Sequence, residues 1–83
     1  MLKLQKEELI SIIEVALEIE SGTLDENSLS ENIEEWDSLG HLNVLIALDT
    51  RCDGAAGGIS ELATAASLNE IIDILKSNSL LQE

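Results

Sequence analysis

From Gln5 to Glu20 the apolar residues Leu9, Ile12, Ile13, Ala16 and Leu17 recur with the three- and four-residue spacing of one helix face, while Glu7, Ser11, Glu14 and Glu18 fall between them. The pattern predicts a first helix with those four polar residues turned to solvent. The next stretch, "SGTLDENSLSENIEEWD", is rich in turn formers yet keeps Leu24, Leu29, Ile33 and Trp36 as spaced apolar anchors. It reads as a long ordered connection crossing the end of a bundle. A second helix is expected from Ser38, with the Asp37 carboxylate as its N-cap. Leu39, Leu42, Val44, Leu45, Ile46, Ala47 and Leu48 make that helix apolar around much of its girth, so it is expected to be the central and most buried one. The glycine-rich "CDGAAGGIS" predicts a mobile loop, followed by a short helical turn around Ile59 to Ala63. Ser67 and Glu70 have the spacing of a capping box that opens a last helix on Leu68, Ile71, Ile72 and Leu75. No stretch alternates as a strand would, and none repeats. The expected architecture is all-α, three main helices and one short one in a single domain, residues 1–83.

Composition narrows what such a bundle can do. A chain of 83 residues with 45% apolar content supports one small core that hides about 60% of the unfolded surface. Seventeen acids against four Lys and Arg give a net charge of −13, which repels nucleic acid and anionic membranes and predicts basic partners. The cations are sparse throughout: Lys3 and Lys6 stand against eleven acids up to Asp37, then Arg51 and Lys76 against six. No segment reaches the run of about 18 apolar residues that a membrane span needs. A single cysteine, Cys52, excludes an internal disulfide, and no charged-then-apolar leader precedes the first helix pattern, so a cytoplasmic monomer is expected.

The candidate chemistry is concentrated in "EEWDSLGHLNVLIALD", residues 34–49. Ser38 at a helix start is a common capping arrangement, and as a reactive hydroxyl it would be exposed there. Ser38 and His41 lie one turn apart, which raises a catalytic pair. Neighbouring Asp37 does not face His41 on a helix, and no oxyanion loop is evident, so His41 is expected to face solvent or a partner. One His and one Cys do not make a metal site. Trp36, the only aromatic residue, is expected to seal the connection against the core, the alternative being a contact with bound cargo. Cys52 is expected to be a small core filler, the alternative being a regulatory thiol.

Taken together, "WDSLGHLNVLIAL", the amphipathic helix before it, the acidic connection, the length and the helix order resemble the acyl carrier protein family over about Leu4 to Leu75, and within it the small free-standing carriers of specialised pathways. The resemblance implies a four-helix acyl-carrier-like bundle without catalytic activity. It implies that a phosphopantetheinyl transferase attaches 4′-phosphopantetheine to Ser38, with Asp37 helping to hold the transferase's metal. The arm would carry an acyl or aminoacyl group as a thioester between a loading enzyme and downstream transferases. A peptidyl or aminoacyl carrier of an assembly line, and an unmodified acidic adaptor for a basic partner, are the alternative readings.

The resemblance also implies a partner surface on the second helix, here Leu39, Gly40, His41, Asn43, Ile46 and Asp49. Housekeeping carriers often show acids where this chain has Gly40, Asn43, Asp49 and Thr50. Docking is therefore expected to rely on shape and apolar contacts such as Ile46 more than on charge. Gly40 and Asn43 are expected to tolerate a glutamate in the first half of the helix. The mobile glycine-rich loop is expected to let a cargo groove open.

Overall fold

The computed structural model describes residues 3–25 and 27–82, so Glu26 of the long connection lies outside the described residues. Within them the chain is all-α. Helices α1 (Lys6–Leu17), α2 (Ser38–Arg51) and α3 (Leu68–Ser77) are joined through short 3-10 turns at Ser30–Asn32, Ala56–Gly58 and Ser60–Thr64. Extended pairing among the described residues amounts to two isolated bridges, Leu4 with Leu81 and Leu29 with Ser67.

The first helix is shorter than its periodicity predicts. Gln5 precedes it and donates its backbone N–H to the Glu8 carboxylate at 3.3 Å, and Glu7 and Glu8 sit in the first turn, where the helix dipole favours negative charge. The helix stops at Leu17 because Glu18 adopts a left-handed conformation, φ 58°, and the Ile19 N–H turns back to the Glu14 carbonyl. Glu14 itself overturns the expectation that it faces water. It is 4% exposed, and its Oε2 accepts from the N–H groups of Gly22 at 2.9 Å and Leu24 at 3.1 Å. The connection folds back over the end of α1 because this one carboxylate satisfies two of its donors, and Leu24 is carried into the core with it. Every buried side-chain polar atom among the described residues is hydrogen-bonded.

Helices α1 and α2 run antiparallel. Arg51 at the end of α2 pairs with Glu8 at the start of α1 at 2.9 Å, a contact that holds the Glu8 carboxyl below its ordinary range. At the opposite end Gly40 lies against Leu17. Leu9, Ile13, Val44 and Leu48 are fully buried between these helices, and α3 closes the core with Leu68, Ile71, Ile72 and Leu75. Trp36 is 3% exposed and belongs to this core, as a packing anchor does. Leu29, another expected anchor, stays 37% exposed but pins the connection through its bridge to Ser67, beside the Ser30 N–H bond to the Ala66 carbonyl and the Leu68 N–H bond to the Ser28 carbonyl.

Three further expectations are revised. Helix α2 is not buried all round: Leu39, Leu42 and Ile46 are 67%, 50% and 55% exposed. At α3 only half of the capping box forms. The Ser67 hydroxyl accepts from the Glu70 N–H at 3.1 Å, whereas the Glu70 carboxylate reaches the Ala66 N–H at 3.4 Å. The glycine-rich segment, expected to be mobile, is tied down twice, by burial of Ala56 and by the Gly57 N–H bond to the Asp49 carboxylate at 2.6 Å. Cys52 packs in the core, and burial pushes its thiol up from the ordinary range, which leaves it protonated and unreactive near neutral pH.

Trp36→Ala is expected to cost about 3–5 kcal/mol, the usual range for removing a buried aromatic residue, and to lower the melting temperature by tens of degrees. Glu14→Ala strands two backbone donors and is expected to cost about 2–4 kcal/mol in denaturant unfolding. Exposed Glu7→Ala should stay within about 0.5 kcal/mol. Equal effects of the two glutamate substitutions would refute the anchoring role of Glu14.

Candidate functional site

The geometry of the site follows from how α2 is rotated. A helix turns about 100° per residue, so the packed residues Gly40, Val44 and Leu48 occupy an arc of about 80°. His41, Leu45, Ser38 and Leu42 come next around the helix, and Ile46, Leu39 and Asn43 lie on the far side. Ser38 is thereby directed almost opposite to Gly40, away from α1, and it is exposed. Asp37 caps the helix as expected: its Oδ1 accepts from the Gly40 N–H at 2.8 Å, and its carbonyl accepts from the His41 N–H at 2.8 Å. The outermost donors of the first turn are then the N–H groups of Ser38 and Leu39.

Beside Ser38 lies an open groove of about 520 Å³, walled by Trp36, Asp37, His41, Leu42 and Leu45 on one side and by Ala63, Thr64 and Ala65 on the other. The two walls are joined by His41. Its Nδ1 accepts the Trp36 indole N–H at 2.9 Å, and its Nε2 lies 2.8 Å from the Leu62 carbonyl in the turn Ser60–Thr64. The ring planes are 23° apart with centroids 6.2 Å apart. At that separation an in-plane N–H···N bond makes the rings meet edge to edge rather than face to face. The expectation that His41 faces solvent or a partner is therefore corrected: both nitrogens are used inside the fold. In this arrangement neither nitrogen is hydrogen-bonded to Ser38.

The other residues of the expected partner surface divide. Leu39, Asn43 and Ile46 are exposed on α2, and Leu39 and Ile46 form with Leu42 an apolar ridge next to the groove. Gly40 is buried. A Cβ there would collide with the Glu35 carbonyl oxygen and lie 2.9 Å from Leu17 Cδ2. It is a close-approach glycine, not a missing acid, and the expectation that it tolerates glutamate is withdrawn. Asp49 is half-buried, with one carboxylate oxygen taken by the Gly57 N–H.

The four Lys and Arg residues lie away from Ser38, at an end they share with Glu7, Glu8 and Asp53. Lys3 and Lys6 precede or open α1, while Arg51 and Lys76 close α2 and α3, and these termini meet at one end of the molecule. The connection beside Ser38 carries Glu31, Glu34, Glu35 and Asp37, with no cation among residues 7–50. Helix α2 has 14 residues, so about 20 Å separate Ser38 from Arg51. That is twice the screening length of about 8–10 Å in physiological salt, so the acids around Ser38 are not offset by these cations.

The sequence indicates the helix start at Ser38, the cap by Asp37 and the burial of Trp36, and it does not reveal the clasp made by His41, the packing role of Gly40 or the exposure of Leu42. An isolated glycine inside a strongly helical pattern was the available signal for the second. Searches against family models, curated proteins and solved structures find no match to the chain.

Gly40→Ala is expected to destabilise the fold by more than the usual helix gain from alanine, because overpacking typically costs about 1–3 kcal/mol. Asn43→Glu and Thr50→Glu, both at exposed positions, should leave the melting temperature within a few degrees. A stable Gly40→Ala protein in thermal unfolding would contradict the close contact.

Proposed function

We propose that the chain is a carrier protein of the acyl carrier type, a non-catalytic four-helix bundle in the family's sense, with the turn Ser60–Thr64 as its short helix. It holds an acyl or aminoacyl group as a thioester on a 4′-phosphopantetheine arm at Ser38 and presents it to separate enzymes. The observation that carries this reading is the exposed hydroxyl of Ser38 at the first position of α2 beside an open groove.

The residues present fit the arm. A phosphodiester on Ser38 Oγ would lie at the positive end of α2, near the outermost N–H groups, and the groove borders its path. In the transfer, Ser38 Oγ bonds to the pantetheine-side phosphorus of coenzyme A, the bond between the two phosphates breaks, adenosine bisphosphate leaves, and the hydroxyl proton passes to a base of the transferase. The base belongs to the transferase because both nitrogens of His41 are engaged. Asp37 uses Oδ1 for its cap, which leaves its second oxygen to help hold the transferase's Mg²⁺. When bound, the arm supplies a terminal thiol for the cargo. Tethering delivers that cargo at high effective concentration to whichever enzyme docks.

Leu39, Leu42 and Ile46 supply an apolar contact for such enzymes, and the acids beside Ser38 favour a basic rim on the partner. The same ridge is the observation that favours the second reading, an acidic helical adaptor whose serine is never modified.

Incubated with coenzyme A, Mg²⁺ and a broad-specificity phosphopantetheinyl transferase, the protein is expected to gain one phosphopantetheinyl group by intact-mass measurement. Ser38→Ala should gain none while keeping its helical circular dichroism. Absence of modification across several transferases would select the adaptor, and modification of Ser38→Ala would refute the site.

A further inference from the structure

The chain has one tryptophan and one histidine, and the fold places them in a single hydrogen-bonded line that ends on a backbone carbonyl across the groove. The chemistry of the two outer groups dictates the state of the ring between them. An indole N–H only donates, so His41 Nδ1 must be bare to accept it at 2.9 Å. A carbonyl only accepts, so Nε2 must carry the hydrogen that meets the Leu62 oxygen at 2.8 Å. Only the neutral ring with its proton on Nε2 satisfies both.

We propose that His41 is a positioning residue for the groove beside Ser38 and works as a proton-operated latch: the neutral ring ties Trp36 to the turn Ser60–Thr64, and its protonation releases the tryptophan.

The protonated ring has two donors, so an N–H on Nδ1 would point at the indole N–H and that bond is lost. The bond to the Leu62 carbonyl survives, since Nε2 keeps its hydrogen. The change is therefore confined to the Trp36 side of the groove. Trp36 stays held by packing, so the loss of this bond loosens the indole at the groove wall and leaves the core folded. Asp37 lines the same groove, Glu35 is the exposed chain neighbour of Trp36, and Glu61 is that of Leu62 on the facing turn. The turn Ser30–Asn32, whose Ser30 reaches the groove, contributes Glu31. None of these segments carries a cation. Imidazole is also the side chain that ordinarily changes charge between about pH 5 and 8. The latch stands on the clasp alone. What enters the groove when it opens rests on the carrier reading.

The test needs no modification of Ser38, so its outcome is independent of that reading. In the unmodified, nitrogen-15-labelled protein the single indole N–H resonance is followed by nuclear magnetic resonance from about pH 8 to about pH 5, together with the carbon-bound ring protons of His41 and the amides of Ala63, Thr64 and Ala65. The expected result is one shared midpoint for the ring, the indole and the groove-wall amides, while amides of α1 such as Ile13 stay still. In His41→Gln, whose amide offers one acceptor and one donor but does not titrate, the indole resonance should hold its position through the same range. An indole resonance that stays fixed while the His41 ring titrates overturns the proposal. So does an unchanged indole titration in His41→Gln, which would assign it to the carboxylates, and so does a simultaneous shift of the α1 amides, which would mark general unfolding. The wild-type titration decides the matter even if the variant does not fold.

Discussion

The close approach of α2 to α1 at Gly40 sets everything that follows along the second helix. Because no Cβ intervenes, the first turn of α2 rests directly on Leu17 and on the Glu35 carbonyl, and this contact fixes the rotation of α2 about its axis. Once that angle is fixed, the helical period assigns each side chain its surroundings. Val44 and Leu48 enter the core, His41 and Leu45 reach the groove, Ser38 is turned outward, and Leu39 and Ile46 meet solvent. A bulkier residue at position 40 would press on one side of the helix and turn the serine relative to its groove.

A second constraint is the scarcity of aromatic residues. With a core of aliphatic side chains and a single indole, ring packing holds the long connection only at Trp36, and polar anchors supplement it along its length. The Glu14 carboxylate holds its first half through the N–H groups of Gly22 and Leu24. The bridge from Leu29 to Ser67 holds the middle, and the bond from Trp36 to His41 holds the end. Each anchor joins groups distant in sequence or on different elements, so the connection is ordered without forming a long helix of its own.

These facts explain what could be read from the sequence and what could not. The start of α2, the cap by Asp37, the apolar face of α3 and the anchoring of Trp36 are local or periodic signals, and they appear in the fold as read. Glu14 was misjudged because periodicity measures only which face of α1 it occupies, and that face is covered by a connection folding back from eight and ten residues downstream. His41 was misjudged for the same reason, its second partner being 21 residues away. Gly40 carries its own signal, an isolated glycine inside a helical run, which marks missing volume rather than missing charge. The end of α1 at Glu18 depends on a left-handed backbone that no glycine announces.

The parallel bridge between Leu4 and Leu81 joins the segments that flank the helical body, with backbone bonds from the Leu4 N–H to the Leu80 carbonyl and from the Gln82 N–H to the Leu4 carbonyl. Because the bridge is parallel, the two segments lie side by side at the end away from Ser38 but head out of it in opposite directions. A linker grafted onto either one would depart about 20 Å from the serine, the length of α2, and would leave its approach clear. The fold is thus suited to being strung on a line, with one neighbour attached on each side of the bridge and neither crossing the face that carries Ser38.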